Sequence, residues 1–170
     1  MQANGRLFIS GDELTDADYA NLTMLGDEQI AYEKMSDSVL SKLALSGDLY
    51  IATSSLVELD CRHSPLAGEI SAKLVGGRSA DVHLQSIAFR VLFETNPKQA
   101  VVIVTNLIDS GDLKTVSAAA GGLAAAANLT IDPVARAAAG RILRALIGPG
   151  RADLAEIDEA VISALENAAQ

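Results

Sequence analysis

Residues 112–127 read DLKTVSAAAGGLAAAA. Their apolar positions Leu113, Val116, Ala120, Leu123, Ala124 and Ala127 recur at three- and four-residue intervals, the repeat of one face of an α-helix. Alanine and leucine are strong helix formers. Gly121 and Gly122 sit inside this pattern, as Gly140 does in a later one. Each costs about 1 kcal/mol relative to alanine. Small residues let neighbouring helix backbones approach closely, and that gain offsets the cost. No strand precedes the glycines, so the sequence favours close packing over a phosphate-cradling loop.

The same periodicity extends outward in both directions. Leu49, Ala52, Leu56 and Leu59 form one stripe, and Leu84, Ile87, Ala88, Val91 and Leu92 form another. Leu154, Ile157, Val161, Ala164, Leu165 and Ala168 close the chain with a third. Ala100–Val104 is β-branched enough for a buried strand. It reads as helix because Ala100, Ile103, Val104, Leu107 and Ile108 share a face and no second strand candidate exists to pair with it.

Helix starts recur along the chain. Pro65, Pro97 and Pro133 follow Ser64, Asn96 and Asp132, the pairing of a capping side chain with a first-turn proline. Gly47-Asp48, Ser79 and Gly111-Asp112 open the helices between them. Both series step by 32–36 residues. A helix pair repeated at that length predicts an all-α fold, a short right-handed α-solenoid of antiparallel helix pairs. An irregular helical bundle with even spacing is the alternative. Helix breaks are expected near Gly47, Pro65, Gly77, Pro97, Gly111, Pro133 and Pro149, with no sheet of three or more strands. Leu84, Ile87, Val91, Ile103, Val104, Leu107, Leu123, Ile142 and Leu146 are the expected core.

The segment 132–143, DPVARAAAGRIL, resembles the helix of a HEAT-like repeat of the phycobilisome-lyase type. It has the Asp-Pro start, the early arginine, the alanine-rich middle and the closing aliphatic pair. Residues 79–88 are a weaker echo without the proline or the arginine. The resemblance spans residues 48–168 and is specific at 132–146. It implies a curved α-solenoid that holds another macromolecule, and it does not imply lyase activity. The chain then reads as a single domain over 1–170. Residues 1–47 form acidic N-terminal capping helices, 48–148 HEAT-like helix pairs and 149–170 a C-terminal capping helix.

At 170 residues and 49% hydrophobic types, the chain can bury a core. Its 13 basic and 22 acidic residues give a net charge of −9. Residues 1–60 carry eleven acids against Arg6, Lys34 and Lys42, nearly the whole imbalance. Nucleic acid and anionic lipid are polyanions, so neither is an expected partner. No apolar run approaches the roughly 18 residues of a membrane span. The N-terminus lacks a signal peptide's apolar core, and one cysteine, Cys61, makes no internal disulfide. A cytoplasmic location is the expectation.

Catalytic patterns find no footing. Cys61 and His63 stand two residues apart on a helix and cannot share a metal, and His83 has no ligand partner at helical spacing. There is no nucleophile elbow, phosphate loop or zinc-protease helix. Thr15-x-x-Asp18 reads as a capping box rather than a calcium loop, and Cys61 as a buried core thiol. No enzyme activity, metal or cofactor is expected.

The expected function is protein binding. The acids Asp12, Glu13, Asp16, Asp18, Asp27, Glu28, Glu33 and Asp37 are the candidate partner-binding residues. A face of that sign steers a protein with a basic surface into contact, as an immunity or antitoxin-type inhibitor does with a basic toxin. Acids that start helices and keep an Ala/Leu-rich chain soluble are the plainer account. A HEAT-like lyase or chaperone, a nucleic-acid-handling module and a subunit of a larger assembly are the alternatives. The first needs a ligand-sized pocket. The second needs a basic groove with stacking aromatics, against which stand three Phe, three Tyr and no Trp.

Overall fold

In a computed structural model of the chain, residues 2, 3, 5–77, 81–126, 132–147 and 159–170 are described. They fall into two compact units, Met1–Ile70 and Ser71–Gln170. The fold is all-α apart from one two-residue hairpin.

Capping residues set the helix starts. Asp48 accepts from the amide of Ile51 at 3.0 Å and opens α3, Leu49–Cys61. Asn96 accepts from Gln99 at 3.2 Å before α6, Pro97–Ser110, and Asp112 from Thr115 at 3.2 Å before α7, Leu113–Ala125. Asp132 accepts from Val134 at 2.7 Å before α8, Pro133–Ile147. Ser64 precedes α4, Pro65–Gly76. Each cap satisfies amides that the helix leaves without partners. Helix α5, Val82–Thr95, is capped by Asp81, whose carboxylate accepts from Leu84 at 2.8 Å. Ser79, the opener read from the sequence, and Pro149 lie outside the described residues. The other breaks fall where the sequence puts them, and Ala100–Val104 is helical within α6. Gly111 ends α6 with φ of 73°, the left-handed conformation glycine adopts without strain.

The first unit begins with β1, Gln2–Ala3, paired antiparallel to β2, Arg6–Leu7. Helix α1, Asp16–Leu22, follows, then two 3₁₀ turns at Asp27–Gln29 and Tyr32–Lys34, then α2, Asp37–Ala44. Helix α2 packs on α3, and α3 also meets both 3₁₀ turns. Leu22, Ile30, Leu40, Leu43, Leu56 and Leu59 are buried there. Helix α3 ends at Cys61, and His63 adopts a φ of 53°, taking the left-handed position that usually falls to glycine.

In the second unit, α5 packs on α7, α6 on α8, and α7 on α9, Glu159–Ala169. Helices two apart in sequence therefore lie against one another, the neighbour pattern of stacked helix hairpins. The α5–α7 contact is tight. A Cβ at Gly122 would stand 2.5 Å from the carbonyl oxygen of Ser86 and 2.6 Å from Cβ of Phe89. Gly140 differs from the sequence reading, because a Cβ there meets nothing closer than the Arg144 side chain at 3.6 Å.

Seven of the nine expected core residues of this unit are buried, and Ile87 and Ile103 are half-buried. The reason is rotation. The buried row of α5 runs through Gln85, Ala88, Phe89 and Leu92, toward the Gly122 contact, which leaves Ile87 at its edge. In α6 the row Ala100, Val104, Leu107 leaves Ile103 similarly placed. Phe89 and Phe93 stack with ring centroids 6.0 Å apart.

Candidate functional site

Twelve acids and four bases lie in residues 1–70, a net charge of −8 within the first unit. Two of those bases act on one short segment. Arg6 donates through Nε to the carbonyl of Glu28 at 3.1 Å, through a terminal nitrogen to the carbonyl of Ile30, and to the Glu33 carboxylate at 3.1 Å. Arg62 donates to the carbonyls of Tyr32 at 2.9 Å and Met35 at 2.7 Å, to Asp37 at 3.1 Å and to Glu58 at 2.8 Å. The amide of Ala31 donates to the carbonyl of Leu7 at 2.8 Å. Residues 28–35 are thus held between two arginine forks. A 3₁₀ turn leaves carbonyls without helical partners, and the guanidinium groups supply donors in a fixed geometry. Burial opposes the charge of Arg62, yet the hydrogen bonds to Glu58 and Asp37 outweigh it and hold its pKa above the ordinary value.

The eight candidate acids divide by what they already do. Asp37 and Glu33 are engaged by these arginines. Asp18 closes the capping box of α1, accepting from the Thr15 hydroxyl at 2.6 Å while Thr15 Oγ1 accepts from the Asp18 amide at 3.1 Å. Those hydrogen bonds hold the Asp18 carboxyl below its ordinary pKa. Asp12, Glu13, Asp16, Asp27 and Glu28 are exposed and make no ion pair among the described residues. They do not form one continuous site. Asp27 and Glu28 line one cavity, and Asp16 borders a separate depression beside Tyr19 and Gly47.

The cavity at Asp27 was not legible in the sequence. It measures about 440 Å³ and opens between the first 3₁₀ turn and the start of α3, with Asp27, Glu28, Tyr32, Asp48 and Tyr50 in its wall. That volume falls inside the roughly 300–1,000 Å³ range of ligand pockets. Tyr50 is 74% exposed, whereas Tyr32 is 6% exposed. The Tyr32 hydroxyl is buried, with the Asp27 and Ser54 side chains beside it. Burial pushes its pKa well above 10, and the Asp27 and Asp48 carboxylates act in the same direction. The signals that would have found this site, a tyrosine at 32 and one at 50, carry no spacing pattern.

Cys61 is exposed, which corrects the reading of it as a buried core thiol; it is the last residue of α3, beyond the face that α2 and the 3₁₀ turns cover. His63 and His83 are exposed. Among the described residues no three His, Cys, Asp or Glu side chains converge as metal ligands, and no helix is long and apolar enough to cross a membrane. Arg136, Arg141 and Arg144 are exposed on α8, where Arg141 donates to the Thr105 hydroxyl of α6 at 2.7 Å. No protein-family model, curated protein or solved structure matches the chain.

Proposed function

We propose that this chain is a non-catalytic binding module that grips a protein partner with a basic surface, in the manner of an immunity or antitoxin protein facing a cationic toxin. The observation that carries the reading is the charge of the first unit, −8, with five exposed acids left without ion pairs among the described residues. Unpaired charge of one sign raises the local concentration of an oppositely charged partner and speeds its encounter. The stacked hairpins of the second unit support a HEAT-like frame, which commonly presents an extended surface to a macromolecule. A cytoplasmic site of action belongs to the same reading.

Affinity capture with the full chain from its source cell, followed by mass spectrometry, tests it. A partner of net positive charge that dissociates as salt rises is the expected result. Recovery of acidic partners only, or of none, overturns the reading.

A further inference from the structure

We infer that the cavity between α6 and α8 receives one carboxylate group, held between the guanidinium groups of Arg141 and Arg144. The inference goes beyond the basic-partner reading, because this site lies in the second unit and takes a ligand of the opposite charge.

The cavity measures about 350 Å³, with Thr105, Ile108 and Asp109 of α6 and Arg141, Arg144 and Ala145 of α8 in its wall. Helix α8 carries three arginines and no acid, in a chain of net charge −9. Residues three apart on a helix are neighbours and like charges there repel, so Arg141 and Arg144 stand together at a cost that a bound anion relieves. Arg141 is already oriented. The Thr105 hydroxyl donates its proton to the carbonyl of Val101 at 2.9 Å, and its oxygen accepts from Arg141 Nη1 at 2.7 Å. A guanidinium has five N–H donors, so most of the Arg141 fork stays open. Arg144 makes no ion pair among the described residues. Asp109 shares the wall, yet no ion pair joins it to either arginine. Two cations and one carboxylate leave the wall with a surplus of one positive charge. One further carboxylate neutralises that surplus, whereas a phosphate dianion exceeds it, and the two oxygens of a carboxylate match the guanidinium fork. Half-buried Ile108 and buried Ala145 make part of the wall apolar, and charges attract more strongly there than in open water.

NMR titration of the full chain with Nα-acetyl-glutamate amide, at constant ionic strength, tests the site, with the glutamine amide, propionate and inorganic phosphate as comparisons. The glutamate amide should shift the amide signals of α6 and α8 saturably, and the uncharged glutamine amide should not. Tighter binding of the glutamate amide than of propionate assigns the carboxylate to a polypeptide. Equal or tighter binding of propionate assigns it to a free small molecule, and either order supports the site. Arg141→Gln and Arg144→Gln should each weaken binding about tenfold, the loss of a hydrogen bond to a charged group. Glutamine is about as good a helix former as arginine and both positions are exposed, so the fold is retained. Arg136→Gln removes the same charge from the same helix outside the cavity and should leave binding unchanged. Asp109→Asn removes the carboxylate that competes with the ligand and should tighten binding. Absence of a saturable shift, tighter binding of phosphate, or full binding by either cavity-arginine variant overturns the inference. An equal loss in Arg136→Gln and Arg144→Gln, or weaker binding in Asp109→Asn, overturns it as well.

Discussion

The guanidinium of Arg62, at the end of α3, holds the main-chain carbonyl of Tyr32 at 2.9 Å, thirty residues earlier in the chain. That bond and its companions to Met35 and Asp37 fasten the second 3₁₀ turn to the helix. Arg62→Ala removes donors from two carbonyls and a counter-charge from Glu58 and Asp37. Urea unfolding should show a loss of about 2–3 kcal/mol, the scale of hydrogen bonds to a charged group. Arg62→Lys should recover only part, because an ammonium cannot reproduce the planar fork. A loss under about 0.5 kcal/mol, the level of an ordinary surface change, would show that the fork is incidental.

The acids without ion pairs give a second expectation. Reversing Asp12, Glu13 and Asp16 to lysine should slow association with a captured basic partner and flatten its salt dependence, since these charges act through long-range attraction screened over about 8 Å at physiological salt. Asp18 is left alone because it caps α1, and Asp27 because it lines the cavity. Association rates at two salt concentrations check this. Unchanged rates at both would make these acids a solubility device.

Two glycines in helices should respond oppositely to the same change. Gly122→Ala forces a methyl group to within 2.5 Å of a backbone oxygen in α5, and overpacking of that kind costs about 1–3 kcal/mol or more. Gly140→Ala meets only ordinary contacts at 3.6 Å and should stabilise by about 0.5–1 kcal/mol through helix propensity. Thermal unfolding of the two variants separates them, and a shift of the same sign in both would refute the α5–α7 contact.

The capping box of α1 sets a pH dependence. The carboxyl of Asp18 titrates below its ordinary 3.8 in the folded chain because it accepts hydrogen bonds from Thr15. The unfolded chain therefore binds the proton more readily than the folded one, and stability rises with pH across that interval. The contribution is complete above 3.8 and is lost as pH falls through the lower folded value. Amide exchange in α1 should accelerate over that acidic range, after correction for intrinsic rates, more in wild type than in Asp18→Asn. Equal acceleration in both would exclude the carboxylate as its cause.

The helices of the second unit were legible because proline, capping side chains and apolar spacing act locally. Asp112, Asn96 and Asp132 could be read as caps from their neighbours alone. The same local signals could not say which way a helix turns about its axis. Ile87 and Gln85 exchange the burial their polarity would assign them, because the Ser86–Gly122 approach orients α5. The candidate site was half legible. Its charge was countable, but which acids are already occupied depends on Arg6 and Arg62, whose partners Glu33 and Asp37 lie more than twenty residues away. The cavity at Tyr32 was out of reach, since it is assembled from a 3₁₀ turn and the first turn of a helix with no motif in common.

Gly122 also bears on how an alanine-rich sequence selects one packing from many. Residues 118–120 and 124–126 are both alanine runs, so sliding α7 by one turn along α5 would exchange methyl group for methyl group at those positions. The missing methyl at 122 is one feature that distinguishes the alignment, beside Gly121 against the Ser86 hydroxyl and the buried Leu123, since a slide by a turn in either direction carries Ala118 or Ala126 to the Ser86 carbonyl. The glycine thus breaks a near-degeneracy that hydrophobicity alone leaves in place, and it excludes the slipped alignments by collision. In Gly122→Ala the native alignment meets the same collision, which narrows its advantage over the slipped ones, so the variant should lose sharpness in its amide spectrum along with stability.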